Sequence, residues 1–316
     1  MSKLTRSISP EEIAAYKNNG VVLLKGVLDL KAVNLVRRSI DSAIENLDKS
    51  PSGYNLTAIT KAMTEDNPGL LQTNSRQYDL EGVTSYIKST GKKLLLVRAQ
   101  RKKRGNFILD TGVLTHFKEF TKFTHRDAPV QIAAALLQSE KVNFLGDQVF
   151  VKEPGSIEKT AFHQDASYFE IEGNDCCVLW IPVDPVTLKN GAMMYVRKSH
   201  KSGDLYQPNT FIAQAALAGS EGKEIPDIEG DLDNYDVIHF DIEPGDVLVH
   251  HYKTIHGTNG NFSEYQVIRA ASLRYCGDDI RFHSRPGVPV QLHHKTRLKD
   301  GDVLQGPDFP VVWKKH

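Results

Sequence analysis

The apolar positions change period part-way along the chain. Near the start, Val33, Val36, Ile40, Ile44 and Leu47 recur at three- and four-residue intervals, which sets them on one face of a helix. Asp29 stands where such a helix needs an N-cap. A shorter helix precedes it, opened by Ser9-Pro10-Glu11-Glu12: a capping serine, a proline at the first helical position and a glutamate placed to close a capping box. That helix should end near Asn18-Asn19-Gly20. The β-branched and leucine run Val21–Leu24, closed by Gly26, predicts a strand. Residues 50–92 are turn-rich with little period, and 94–97 read as a buried strand. Residues 113–138 read as helix in two pieces, the second opened by Pro129. Leu114, Phe117, Phe120 and Phe123 lie three apart within that stretch and are expected in the core.

From about residue 142 the texture becomes β-rich. Runs at 142–152, 177–182, 192–196, 246–252 and 267–275 are short, apolar and separated by turns, the pattern of an all-β sandwich or barrel. The segment 221–236 carries seven carboxylates against one lysine and reads as an exposed insertion between strands. The run 98–104 is densely basic and reads as a solvated loop, with an anionic substrate or partner as the alternative.

Composition narrows the function. At 316 residues and 40% apolar content the chain can bury a large core. Lys plus Arg and Asp plus Glu are both 39, so no basic excess marks a nucleic-acid binder. Three cysteines, Cys176 and Cys177 adjacent, do not make a disulfide framework and suggest a reducing compartment. Residues 1–10 lack an apolar leader region, and no run of eighteen apolar residues occurs. The expectation is a cytoplasmic protein with no membrane partner.

One short segment carries chemistry. In Phe162-His163-Gln164-Asp165, residues i and i+2 of a strand face the same way, so His163 and Asp165 can aim at one point. An imidazole nitrogen and a carboxylate oxygen suit a divalent metal such as Fe(II). A third donor lies far along the chain, where a strand leads from Asp246 through His250 and His251 to His256-Gly257. His256 sits beside a glycine that can let the backbone turn, while His250 and His251 are mid-strand competitors with structural or substrate-facing roles. Two histidines and one carboxylate make the facial triad of non-haem iron oxygenases and leave three metal positions open. Such an enzyme using 2-oxoglutarate needs a cation for the distal carboxylate. Arg269 and Arg274, five residues apart, are on opposite faces of one strand by alternation, so one of them can point at the metal.

The chain resembles the phytanoyl-CoA dioxygenase family of Fe(II)/2-oxoglutarate-dependent oxygenases. The resemblance runs through Pro10-Glu11-Glu12 and Asn19-Gly20-Val21-Val22-Leu23, then Val151-Lys152-Glu153-Pro154-Gly155 and His163-Gln164-Asp165. It continues with Trp180-Ile181-Pro182-Val183, Asn190-Gly191-Ala192-Met193-Met194 and Ser199-His200-Lys201-Ser202-Gly203. Gly245-Asp246, His256-Gly257-Thr258, Asn261 and Arg269 complete it. Two departures stand out. Arg197-Lys198 replaces the usual Pro-Gly before Ser-His, and the arginine falls thirteen residues after the second histidine rather than eleven.

The resemblance implies a mainly β fold with flanking helices, a double-stranded β-helix (jelly roll, cupin-like). It implies a single dioxygenase domain over 1–316: a mostly helical flank with the first strands to 140, a jelly-roll core over 141–280 with the acidic insertion near 203–240, and an extension over 281–316. It implies His163, Asp165 and His256 as iron ligands and Arg269 as the clamp on 2-oxoglutarate. Thr258 and Trp180 would line the same pocket, with Lys152 and Gln148 as weaker candidates. The implied cofactors are Fe(II), 2-oxoglutarate as co-substrate, and dioxygen. The expected activity is hydroxylation or another oxidation of a C–H bond in a small organic molecule, releasing succinate and carbon dioxide. Halogenation on the same scaffold needs a vacant carboxylate position and is disfavoured by Asp165, and a non-catalytic jelly-roll binding protein would usually lack an intact triad. The sequence carries no reading of substrate identity or oligomeric state.

Overall fold

The computed structural model describes residues 3–64, 105–289, 294 and 297–315. The strand expected at 94–97 and the basic run 98–104 lie outside the described residues. The five helices among the described residues are α1 (Pro10–Asn19), α2 (Leu30–Glu45), α3 (Leu56–Thr64), α4 (Lys118–Arg126) and α5 (Ala128–Leu137). The strands are β1 (Val21–Leu24), β2 (Tyr54–Asn55), β3 (Phe107–Thr111), β4 (Lys141–Lys152), β5 (Thr160–His163), β6 (Ile171–Glu172) and β7 (Cys176–Pro182). They continue with β8 (Met193–Val196), β9 (Val237–His239), β10 (Val247–His251), β11 (His256–Thr258), β12 (Ile268–Cys276), β13 (Arg281–Phe282) and β14 (Val311–Lys314).

Local chemistry sets the first elements as the pattern predicts. Ser9 caps α1 in a full capping box with Glu12, and Gly20 ends it in the left-handed region at φ 78°. Asp29 accepts from the Ala32 N–H to cap α2. Val33, Val36 and Ile40 are fully buried, with Ile44 and Leu47 packed at the edge of the same cluster.

The strands form two main antiparallel sheets. The larger runs β1-β10-β7-β12-β4-β3-β2, with β14 also paired to β4, and the smaller runs β5-β11-β8-β9. This is the jelly roll. Alternation divides the large sheet into two chemistries. In β12, Ala271, Leu273 and Tyr275 join the core beneath α1, α2, α4 and α5, together with Val149, Val151, Leu179 and Val249. The other face carries Ile268 and Ala270 toward Trp180, Leu248, Met193 and Tyr195, and so toward the smaller sheet. Leu114, Phe120 and Phe123 are buried in the helix-side core, and Phe117 packs against it.

Three segments differ from expectation or add to it. Lys198, in the position of the replaced Pro-Gly, takes a left-handed conformation at φ 66° and opens a single 3-10 turn. The acidic segment is largely exposed, pinned by the fully buried Ile228 and by an Arg197–Asp236 ion pair at its end. In the C-terminal segment, where the sequence offers no motif, β14 pairs with the start of β4. Among the described residues no helix is long and apolar enough to cross a membrane.

Candidate active site

His163 ends β5 and His256 begins β11, and antiparallel pairing sets the two directly opposite each other. Their rings lie 4.3 Å apart, centre to centre. Gly257, which follows, stands inside a strand rather than at a turn. A Cβ there would meet the Thr160 carbonyl oxygen at 2.9 Å, so the glycine lets β11 lie close against β5. Asp165 is not on the strand either: it opens a 3-10 turn, Asp165–Tyr168. Gln164 stays extended between them, its side chain held by the Lys253 carbonyl and the Tyr206 N–H, which leaves His163 and Asp165 on the same side.

The donor atoms converge. Nε2 of His163 is 3.6 Å and Nε2 of His256 is 4.0 Å from Oδ1 of Asp165. One ligand atom from each of the three lies within 4.8 Å of the others, and all three residues are buried.

Hydrogen bonding sets the tautomers. Nδ1 of His163 lies 2.8 Å from the Ala161 carbonyl, and Nδ1 of His256 lies 2.9 Å from the Thr254 carbonyl. A carbonyl only accepts, so both Nδ1 atoms carry the proton and both Nε2 lone pairs point at the centre. His250 is the reverse. Its Nε2 faces Oδ2 of Asp165 at 3.4 Å and its Nδ1 faces the Tyr195 hydroxyl at 3.1 Å. A carboxylate only accepts, so Nε2 of His250 carries the proton and donates to Asp165, leaving no lone pair there for a metal. His251 points away, beside His200 and Tyr16. Burial lowers its pKa to about 3.

Burial alone would raise the pKa of Asp165. Arg274, whose Nε lies 3.7 Å from Oδ2, outweighs it together with His163 and His250, and holds the carboxyl well below its ordinary value. The donor set is therefore two imidazole nitrogens and one carboxylate, which fits Fe(II) with open positions.

These groups open into a pocket between the two sheets. It is walled by Phe107, Phe150, Trp180, Met193, Phe211 and Ile268, and its polar lining includes Gln148, Lys152, Thr160, Thr258, Ser272 and Arg274.

The sequence model described as Phytanoyl-CoA dioxygenase (PhyH) matches residues 16–271. The chain belongs to the phytanoyl-CoA dioxygenase family. Its match to the Arabidopsis thaliana phytanoyl-CoA dioxygenase is 21% identical over 260 residues, 82% of this chain and 86% of that one. A Caenorhabditis elegans probable phytanoyl-CoA dioxygenase is 23% identical over 86% of this chain and 77% of its own. Among solved structures, the non-heme alpha ketoglutarate dependent carbocyclase SnoK from nogalamycin biosynthesis superposes with TM-score 0.63 at 19% identity, covering 99% of this chain and 100% of that one. The epimerase SnoN, in complex with Fe3+, alpha ketoglutarate and nogalamycin RO, gives TM-score 0.62 at 16% identity over 96% of this chain and 98% of that one. Family membership and the buried triad make this chain an Fe(II)- and 2-oxoglutarate-dependent dioxygenase.

In this member of the phytanoyl-CoA dioxygenase family, Thr258, Trp180, Lys152 and Gln148 all line the pocket. Arg269 does not, and its expected role as the clamp is corrected. It lies on the helix side of the large sheet, where Nε and Nη2 hold Asp184 at 2.9 and 2.7 Å and Nη1 holds Asp41 of α2 at 2.8 Å. Counting parity forward from His256 fails because β11 belongs to the small sheet and β12 to the large one. Alternation does not carry across a connection between sheets. The usable signal lies inside β12, where Ser272 and Arg274 are polar between the apolar Ala271, Leu273 and Tyr275.

Lys152 is the second buried cation of the pocket. It donates to the Thr258 hydroxyl and, at 2.8 Å, to the Asn259 carbonyl. Among the described residues no carboxylate comes within ion-pair distance of it, and burial lowers its pKa to about 7. Tyr195 and His250 had no partner signal in the sequence, since their contacts join residues 55 apart and, to Asp165, 85 apart.

Proposed function

We propose that the chain oxidises a C–H bond of a small organic substrate, by hydroxylation or a related two-electron outcome, while 2-oxoglutarate is converted to succinate and carbon dioxide. His163, Asp165 and His256 would hold the iron, and the observation that carries this reading is their convergence with both histidine Nδ1 atoms turned to backbone carbonyls and both Nε2 atoms toward the centre. Bound iron, with the co-substrate and dioxygen, supplies the oxidising power.

The protein's own residues position and protect. Lys152, with Thr258, takes the distal carboxylate of 2-oxoglutarate in place of Arg269. Supporting this, Thr258 lies two residues from His256, and among the described residues no carboxylate comes within ion-pair distance of the buried Lys152. An anion arriving there restores the charge balance that burial disturbs. His250 donates to Oδ2 of Asp165 and so directs Oδ1 toward the metal. Phe107, Phe150, Trp180 and Phe211 keep water from the centre. With Asp165 present no coordination position is vacated for halide, so oxygenation rather than halogenation is the outcome.

The test is succinate release by purified protein with Fe(II), 2-oxoglutarate and a metabolite library. Substrate-stimulated succinate formation, with added oxygen or lost hydrogen in the co-product, supports the reading. A chlorinated product, or binding of iron and 2-oxoglutarate without turnover on any compound, contradicts it.

A further inference from the structure

The charge of the pocket does not close with the co-substrate alone. Among the described residues that line it, the charged side chains other than the histidines are Lys152, Asp165 and Arg274; His163 and His256 turn Nε2 toward the metal position, and His250 lies between Asp165 and the Tyr195 hydroxyl. A divalent metal and a dianionic co-substrate cancel each other. Two cations against one carboxylate then leave one positive charge among the described lining residues. Glu158, which acts on Lys152 from a distance, is outside the lining and accepts from the Thr57 hydroxyl.

The surplus falls at Arg274. Lys152 is paired in register with Ile268, whereas Arg274 pairs with Gly146, six residues further along β12. At about 3.3 Å of rise per residue their backbones are roughly 20 Å apart, with Phe150 and Gln148 between them on the same face. One distal carboxylate cannot serve both. Arg274 is only 5% exposed, its Nη2 donates to Oε1 of Gln148 at 2.7 Å, and its guanidinium lies 4.8 Å from the centre of the Phe169 ring. Its buried Nε makes no hydrogen bond among the described residues, and the nearby Asp165 oxygen is 3.7 Å away. Gln148 and Phe169 thus hold a desolvated, underused two-donor fork beside the metal centre, the arrangement that recognises an oxyanion.

We infer that the primary substrate is a small organic monoanion whose oxyanion group, a carboxylate or a singly charged phosphorus oxyanion, docks on Arg274. Arg274 approaches a ligand of the metal, so the oxidised carbon lies within a few bonds of that group. This rests on the reading of Lys152 as the co-substrate's partner. The two fail differently.

The experiment uses anaerobic protein loaded with Fe(II) and saturating 2-oxoglutarate, titrated calorimetrically with acetate, propanoate, benzoate and methylphosphonate, and with acetamide, propanamide and benzamide as neutral counterparts. The acids are expected to bind at least tenfold tighter than the matching amides. Arg274→Gln should abolish that preference, Arg274→Lys should restore part of it, and both should keep their affinity for iron and, within threefold, for 2-oxoglutarate. Equal binding of acids and amides, or no binding of either, overturns the inference. Loss of iron from both variants also overturns it, since Arg274 would then serve to position Asp165. A selective loss of 2-oxoglutarate in Arg274→Gln overturns it together with the Lys152 assignment. If only Lys152→Met loses 2-oxoglutarate while the acid preference of the unaltered protein persists, both stand.

Discussion

His250 donates from Nε2 to Oδ2 of Asp165 across 3.4 Å, while its own Nδ1 is met by the Tyr195 hydroxyl. The imidazole is thereby fixed as a donor to a metal-ligating carboxylate rather than as a ligand itself. His250→Ala should retain iron but bind it about 10–100-fold more weakly, the usual consequence of losing a partner that orients a ligand. His256→Ala should not retain it at all. Anaerobic Fe(II) titration of the two variants checks this, and equal loss in both would place His250 among the ligands.

Arg269 should matter to stability and not to the co-substrate. Arg269→Ala removes a two-donor contact to Asp184 and a further bond to Asp41, on a side chain that is 23% exposed. The expected cost is about 1–2 kcal/mol in urea unfolding, with the 2-oxoglutarate dissociation constant within threefold of the unaltered protein. A thirtyfold loss of 2-oxoglutarate affinity would return Arg269 to the pocket.

Lys152 should give 2-oxoglutarate binding a pH dependence. Its pKa in the ligand-free protein is about 7, below the ordinary lysine value because burial disfavours the ammonium. Below that pH the ammonium is already present and affinity should be flat. Above it a proton must be taken up on binding, so affinity should weaken toward tenfold per pH unit. The unfolded chain keeps this proton up to about pH 10.4, so the ligand-free fold gains stability from this group as pH rises between the two values. Lys152→Met should weaken 2-oxoglutarate binding, remove its pH dependence and stabilise the ligand-free protein near pH 7. Titrations at pH 6.5, 7.5 and 8.5 decide it, and a flat profile in the unaltered protein contradicts the assignment.

His251 should contribute to acid lability. Its folded pKa of about 3 lies below the ordinary histidine value, with burial as the main cause. The unfolded state takes up the proton first as pH falls. The stability associated with neutral His251 is therefore complete above about pH 6.5 and declines toward pH 3, by up to about 1.4 kcal/mol per pH unit. His251→Gln should flatten that slope between pH 7 and 5 in urea unfolding, whatever it does to absolute stability. An unchanged slope would show that another group carries it.

The strands of the jelly roll were legible because each carries its own period. The run expected at 177–182 is Cys176–Pro182, that at 267–275 is Ile268–Cys276, and that at 142–152 is Lys141–Lys152. The convergence of His163 and Asp165 was legible too, although the strand stops at His163 and an extended Gln164 does what alternation was expected to do. What was not legible depends on contacts between sheets. Arg269 was misplaced because its face is set by β12's own neighbours, not by its distance from His256. His250 could be separated from His256 only by the Tyr195 and Asp165 groups that fix its proton, and no local pattern reports those. β14 adds an edge pairing to β4 from a segment whose alternation is too short to stand out.

Iron stoichiometry at the triad tests the account most directly. The unaltered protein should bind one equivalent of Fe(II) under anaerobic conditions and then release succinate when given 2-oxoglutarate and air. His163→Ala, Asp165→Ala and His256→Ala should each remain folded by circular dichroism, retain no stoichiometric iron and release no succinate, while His250→Ala keeps the metal at higher free iron. Full iron occupancy and succinate release in His163→Ala or His256→Ala would contradict the site.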